Sequence, residues 1–444
     1  MFIVGNGLVI TVDEQGTVLE NGAVVVEGNL IKEIGDTAAM KAKYPQAEFM
    51  DVKGKVIMPG MINAHHHFYS TFARGIPSKG GKPAKTFGEV LEGLWWRLDK
   101  TLTLEDVYYS AMLPIIDCVK CGATTVFDHH ASPHAVKGSL DMIAKAVLEA
   151  GIRACLCYEL SDRDGEKITQ EGIEENVDFL KRVAQNNEGD MLAASFGLHA
   201  SLTLSDETLR KAKEAASALG AGFHVHTAEG PEDVEDSLKK SGMRVVERLN
   251  SFGILGPKTL AIHCVHVNDR EIEILAETGT NVVHNPESNM GNAVGVSPVT
   301  KMLNAGVTVG LGTDGFTSDM FESVKVANVL HKHAAQDPSA SWAEVPQMIF
   351  DNNQKIAAKF FQKPLGKLVP GAYADIIVVD YYPWTPVHSG NYYGHVLFGM
   401  SGRAVETTIV NGKVLMKDRQ LLFVDEAEVA AKARELAVKV WERF

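Results

Sequence analysis

Apolar residues fall along the chain in two textures. At both ends they come in short β-branched runs: residues 2–12 alternate loosely, residues 22–27 are valine-rich, and Gly28-Asn29 marks a turn before Leu30-Ile31. The same texture returns at 374–380 (ADIIVVD) and at 407–416, where Asn411-Gly412 predicts a hairpin. Between these flanks, apolar strands near 56–64, 123–128, 152–158, 192–199, 221–226, 259–265, 280–284 and 307–312 alternate with amphipathic stretches such as 206–219 and 269–277. Eight such repeats predict an α/β fold, a (β/α)8 TIM barrel. An open doubly wound sheet would carry a glycine-rich phosphate turn after its first strand, and none follows this one.

The expected organisation is a small β-sandwich domain built from both chain ends (1–57 plus 366–423), a barrel over 58–365, and a C-terminal helix over 424–444. An Asp425/Glu428 capping pair opens that helix, with Val429, Leu436, Val440 and Trp441 as its apolar positions. Residues 68–122, carrying Gly80-Gly81 and the adjacent Trp95 and Trp96, exceed a simple repeat and suggest a lid.

Charge narrows the function. Lys plus Arg number 43 against 56 Asp plus Glu, a net charge of −13. Nucleic acids and anionic membranes reward basic patches, so neither is an expected partner. No apolar run is long enough to span a bilayer, no leader pattern opens the chain, and five cysteines form no zinc-knuckle array, all consistent with the cytoplasm. Histidine is concentrated: twelve of sixteen fall between positions 65 and 284.

Four strand ends carry the chemistry. In Pro59-Gly60-Met61-Ile62-Asn63-Ala64-His65-His66-His67, strand alternation aims His65 and His67 the same way and His66 the other. In Phe223-His224-Val225-His226-Thr227-Ala228-Glu229, His226 lies nearer the strand's end, and Glu229 enters the loop where a half-buried carboxyl can shuttle protons. Ala261-Ile262-His263-Cys264-Val265-His266 offers His263 to the mouth, and Gly310-Leu311-Gly312-Thr313-Asp314-Gly315 ends the eighth strand on an acid. Each has a bland alternative: an exposed pair, a helix N-terminal carboxylate, a hydrogen-bonded structural histidine, an Asp-Gly turn. Together at one rim they point to a hydrolytic metal centre. Three imidazoles and a carboxylate suit Zn²⁺, with Fe²⁺ or Mn²⁺ as alternatives.

As a set, PGMINAHHH, HVHTAE, IHCVH and GTDG resemble the amidohydrolase superfamily over essentially the whole chain, in its mononuclear deaminase and chlorohydrolase branch. The resemblance implies His65, His67, His226 and Asp314 on one metal ion, Glu229 as proton shuttle, and His263 beside the hydrolytic water. Binuclear relatives carry a carboxylated lysine on the fourth strand, and AASFGLH has none. The segments FDHHAS and HNPESNM are similar to a narrower group of aminohydrolases associated with selenium metabolism and purine breakdown, although Met290-Gly291-Asn292 replaces a Leu-rich segment common among relatives.

The implied reaction is hydrolytic deamination of an amino-substituted, purine-like N-heterocycle, releasing ammonia. Asp314 takes the water's proton, Glu229 protonates the adjacent ring nitrogen, and His263 holds the attacking oxygen. Hydrolysis of a cyclic amide C–N bond or of a carbon–halogen bond would use the same site, and a non-catalytic scaffold is the alternative from another class. Candidate substrate contacts are Phe68, Arg74 and His199, with Trp95 as a lid residue. Only one of His129 and His130 can enter the mouth, and Cys264 reads as a small packed hydrophobe. His331, His333, His388 and His395 are expected at the periphery. The expected partner is a small heterocycle, and the chain is expected to pair as a homodimer.

Overall fold

A computed structural model describes residues 1–76 and 83–444. The Gly80-Gly81 pair of the expected lid lies outside the described residues. Met61–His66, Ala123–His130, Arg153–Tyr158 and Leu192–Ala194 form one parallel sheet, and Phe196–Ala200, Phe223–Thr227, Leu260–His263, Asn281–His284 and Thr308–Leu311 form a second. Isolated parallel bridges, Leu160 with Leu198 and His66 with Asp314, link the sheets at both edges. Nearly every residue of these strands is buried, as expected where helices cover one face and side chains fill the other.

Two expected strands are divided. The run over 56–64 breaks at Gly60: Val56–Pro59 pairs with the terminal strands, and only Met61–His66 belongs to the parallel set. A Cβ on Gly60 would lie 2.2 Å from Thr124 Cγ2, so this crossing point has no room for a side chain. The fourth strand divides at Ser195, where Leu192–Ala194 pairs with the third strand and Phe196–Ala200 with the fifth. The third and fourth strands approach so closely there that a Cβ on Gly197 would sit 2.1 Å from the Tyr158 carbonyl oxygen.

The long stretch before the second strand is partly an ordinary covering helix, Leu104–Cys121. Thr103 and Asp106 cap it reciprocally, satisfying N–H groups that the first turn leaves free, and Gly122 ends it at φ 81°. The remainder, from Phe87 to Thr101, is a chain of short helical turns over the strand ends. The C-terminal helix Glu426–Arg443 packs beside Leu104–Cys121. Asp425 accepts from Ala427 and Glu428 N–H, and Val429, Leu436 and Val440 are buried as the pattern predicts. Trp441 donates to the Phe72 carbonyl at 2.8 Å, tying this helix to the segment that follows His67.

Strands from both chain ends join one nine-stranded sheet: eight follow a hydrogen-bonded path, and Glu48–Asp51 pairs off it with Phe2–Ile10. Asn411 and Gly412 have φ 52° and 74°, the left-handed pair that the predicted hairpin needs. Among the described residues no helix is long and apolar enough to cross a membrane.

Arg153 fastens the terminal sheet to the parallel strands. It is fully buried, donates to the Asp190 carbonyl, lies 3.4 Å from Asp375 Oδ1 and 3.4 Å from Asn411 Oδ1, and covers the Tyr373 ring at 4.2 Å. Removing one member of a buried ion pair strands the other. Arg153→Leu is therefore expected to lower unfolding free energy by about 3–5 kcal/mol in denaturant titrations; an unchanged midpoint and slope would show that the pair is not holding the two sheets together.

Candidate metal centre and substrate cavity

Three imidazoles are oriented by what their Nδ1 atoms touch. His67 Nδ1 lies 2.6 Å from the His129 carbonyl and His226 Nδ1 lies 2.9 Å from the His199 carbonyl. A carbonyl only accepts, so each Nδ1 carries hydrogen and each neutral ring presents a lone pair on Nε2. His65 Nδ1 bonds His224 Nε2 at 2.8 Å. The Nε2 atoms converge: those of His67 and His226 are 3.1 Å apart, and His65 Nε2 is buried without a hydrogen-bond partner. Asp314 Oδ1 lies 3.3 Å from His67 Nε2 and 3.8 Å from His65 Nε2. Facing lone pairs at this separation repel unless a cation lies between them, and nitrogen and carboxylate donors fit a divalent ion. His66 points the opposite way, to Ser318 Oγ at 3.2 Å, as alternation requires.

Beside these atoms, His263 Nε2 is buried without a hydrogen-bond partner, 3.4 Å from Glu229 Oε2 and 3.5 Å from Asp314 Oδ2. His263 Nδ1 is held by Asn289 Oδ1 at 2.7 Å, and burial lowers its ring to about 4, so Nε2 is an acceptor at neutral pH. Burial, with the Asp314 charge nearby, pushes the Glu229 carboxyl well above its usual range. Burial acts the same way on Asp314, but the imidazoles of His67, His263 and His226 outweigh it and hold that carboxyl well below the usual range. One acid is thus kept protonated and one ionised. Ala228, His263, Cys264 and Asp314 all have positive φ (48°, 70°, 49° and 55°), which concentrates backbone strain at the ends of the fifth, sixth and eighth strands.

A cavity of about 310 Å³ opens above this cluster. His67, His226, Glu229 and Asp314 form part of its lining, and the short turns contribute Phe87, Leu91, Trp95 and Trp96. His199 lines it as expected, whereas the other two predicted contacts do not. Phe68 is fully buried in the core, its N–H donating to Asp128 at 2.7 Å, and Tyr69 reaches the cavity instead. Arg74 has a side chain 74% exposed and pairs with Asp117 at 3.6 Å outside the cavity. Cys264 is buried, its thiol pushed up by burial. His331 is not peripheral: it is largely buried and bonds His284 Nε2 at 3.1 Å.

Several cavity residues escaped the sequence reading. Glu159 follows the third strand and lies 3.1 Å from His67 Nδ1. Burial alone would depress the His67 imidazole, but the Glu159 hydrogen bond and charge raise it to about 10, while His67 overcomes the effect of burial on Glu159 and lowers it to about 2. A proton and a metal ion therefore compete for the same His67 lone pair. Beside His199, whose ring lies 6.1 Å from that of Trp96, Asp99 Oδ2 accepts from Arg163 at 2.8 Å, leaving Asp99 Oδ1, Arg163 Nη1 and Trp96 Nε1 buried and unpartnered. A charge closing a strand that is apolar after its first residue, as in RACLCYE, was the available signal for Glu159.

The Amidohydrolase family pattern matches residues 56–415, and an imidazolonepropionase-like composite domain pattern from bacteria matches residues 22–47. The 5'-deoxyadenosine deaminase of Methanosarcina mazei is 36% identical over 99% of this chain and 98% of its own. The 5-methylthioadenosine/S-adenosylhomocysteine deaminase of Syntrophomonas wolfei is 33% identical, with 99% of each chain covered. Among solved structures, an adenosine deaminase from Xanthomonas campestris with bound zinc superposes with a TM-score of 0.87 at 24% identity, over 99% of this chain and 98% of that one. The chain belongs to the amidohydrolase family.

The exposed position of Arg74 makes a direct prediction. Arg74→Ala should leave KM and kcat within about twofold of the parent, because exposed ion pairs contribute little. A KM raised by about tenfold or more in steady-state assays would instead place the guanidinium on the substrate.

Proposed function

We propose that this chain is a metal-dependent aminohydrolase that replaces the exocyclic amine of a purine-like heterocycle by oxygen, consuming water and releasing ammonia. The observation that carries the reading is the meeting of Glu229, His263 and Asp314 within 3.5 Å contacts beside three converging Nε2 atoms. In this reading His65, His67, His226 and Asp314 hold one divalent ion, Zn²⁺ by preference, with Fe²⁺ and Mn²⁺ compatible with the same donors. The ion, when bound, acidifies a water so that hydroxide is available near neutral pH.

The remaining steps belong to the protein. Asp314, kept ionised, accepts the proton of the attacking water. Glu229, kept protonated by burial, delivers its proton to the ring nitrogen next to the attacked carbon; the proton held on Asp314 then passes to the departing amine, and the hydroxyl proton of the collapsing adduct returns to Glu229. His263 directs Nε2 at the attacking oxygen and, fixed by Asn289, keeps it in line. Charge on the tetrahedral adduct develops where these groups already point, which favours the transition state over the ground state.

The relatives are named for purine nucleosides, and the cavity supports a substrate of that kind. Asp99 Oδ1 accepts, while Arg163 Nη1 and Trp96 Nε1 donate, a combination matched to a neutral, hydroxyl-bearing substituent such as a sugar. We also read the two bridged parallel sheets as one closed (β/α)8 barrel over 58–365, with the terminal strands (1–57 plus 366–423) as a composite domain and 424–444 as an appended helix.

Glu229→Gln should retain metal and lose turnover by about 10²–10⁴-fold in an ammonia-release assay. Undiminished deamination by this variant would remove Glu229 from proton transfer. His65→Ala should lose most of its metal by elemental analysis, and full occupancy would overturn the ligand assignment.

A further inference from the structure

Glu159 is a further carboxylate in the cavity, and the proton-transfer scheme does not use it. Its N–H donates to the His130 carbonyl at 2.7 Å, which fixes the residue at the rim between the second and third strands. Among the described residues no lysine or arginine lies within ion-pair distance of it; its neighbours are His67, His129 and His199. Oε1 faces His67, and Oε2 lies 3.8 Å from His199 Nε2, too far for a hydrogen bond.

Hydrogen placement explains that gap. His199 Nδ1 lies 2.8 Å from Thr203 Oγ1, and the Thr203 hydroxyl donates to the Ala200 carbonyl at 3.1 Å. With its one hydrogen committed there, Thr203 accepts from Nδ1, so neutral His199 has only a lone pair on Nε2. Glu159 Oε2 and His199 Nε2 are thus two acceptors side by side on one cavity wall, with no hydrogen between them. The ligand atoms of Glu159, His199 and His226 lie within 4.8 Å of one another, a spacing that a second ion would need. His226, however, has its Nδ1 hydrogen on the His199 carbonyl and its Nε2 turned to His67 Nε2. That leaves two protein donors, fewer than a metal site takes.

Two acceptors at this spacing suit a group with two hydrogens to give. Their place in the fold says where on the substrate it lies. Glu229 and Glu159 follow the fifth and third strands, and His199 lies at the end of the fourth between them. With Glu229 serving the ring nitrogen next to the reacting C6 of a purine, the next ring position towards His199 and Glu159 is C2.

We propose that Glu159 and His199 form a subsite for a second amino group, so that the preferred substrate is a 2,6-diaminopurine-type ring rather than an adenine-type ring. This rests on the aminohydrolase reading above and deepens it. Glu159 acts here as a specificity-determining residue, distinct from the groups that move protons.

The test compares 2,6-diaminopurine riboside with adenosine on the zinc-loaded protein and on Glu159→Gln, with zinc content measured for both. The parent should favour the diamino substrate by about tenfold or more in kcat/KM, as expected when a charged acceptor is left unpaired by the poorer substrate. Glu159→Gln should bring the ratio near one while keeping its zinc. No preference in the parent, an unchanged ratio in the variant, or loss of zinc by the variant would each overturn the proposal, the last by showing that Glu159 acts through His67. Equilibrium titration with 2-aminopurine riboside and purine riboside, which have no C6 amine to lose, reads the subsite without chemistry. Tighter binding of the 2-amino ligand by a protein that releases no ammonia from adenosine or 2,6-diaminopurine riboside would uphold the subsite and defeat the deaminase reading; equal binding would defeat the subsite.

Discussion

Everything at the centre of this protein depends on two backbone carbonyls accepting hydrogen from two imidazoles. His129 and His199 contribute carbonyl oxygens at the ends of the second and fourth strands, and these fix the tautomers of His67 and His226. Were either ring free to exchange its hydrogen between nitrogens, the converging Nε2 atoms would alternate between donor and acceptor and could not serve an ion as a set. The strand geometry therefore does more than bring histidines together: the same backbone that forms the sheets decides which nitrogen faces inward.

The electrostatics follow from that core. Burial alone would push Asp99, Glu159, Glu229 and Asp314 upward, yet the groups diverge. Attraction to His67 and its neighbouring imidazoles keeps Asp314 and Glu159 ionised, while on Glu229 burial and the Asp314 charge outweigh the pull of His67 and push the carboxyl up. Asp99 is partly rescued by Arg163 and rises to about 6, burial being the larger influence. With Asp314 and Glu159 ionised, Glu229 protonated and Asp99 paired, the cavity can take a proton and give a proton at the same pH without gross rearrangement. The strained backbone at His263, Cys264 and Asp314 is consistent with side chains held where the chemistry needs them.

Much of this was legible in the sequence, because the informative residues lie on strands whose alternation is rigid. The pairing of His65 with His67 on one face and the opposite aim of His66 follow from a period of two, and the motifs carrying His226, His263 and Asp314 each close an apolar strand. Residues after the strand ends were harder to read. Phe68 sits one residue beyond His67, but the turn that begins there sends its ring into the core and brings Tyr69 to the cavity. Glu159, Asp99 and Arg163 come from three separate segments, and only the fold makes them neighbours. The breaks at Gly60 and Ser195 were equally hidden, since an apolar run does not say which sheet each half will join.

Removal of an amine by the proposed reaction requires one metal ion. The most direct measurement is a titration of chelator-treated protein with Zn²⁺ while ammonia release from a purine nucleoside is followed. Release that is absent without metal, rises in proportion to added zinc and levels at one equivalent per chain is the predicted result. Full activity without metal, or a rise that continues to two equivalents, would contradict it.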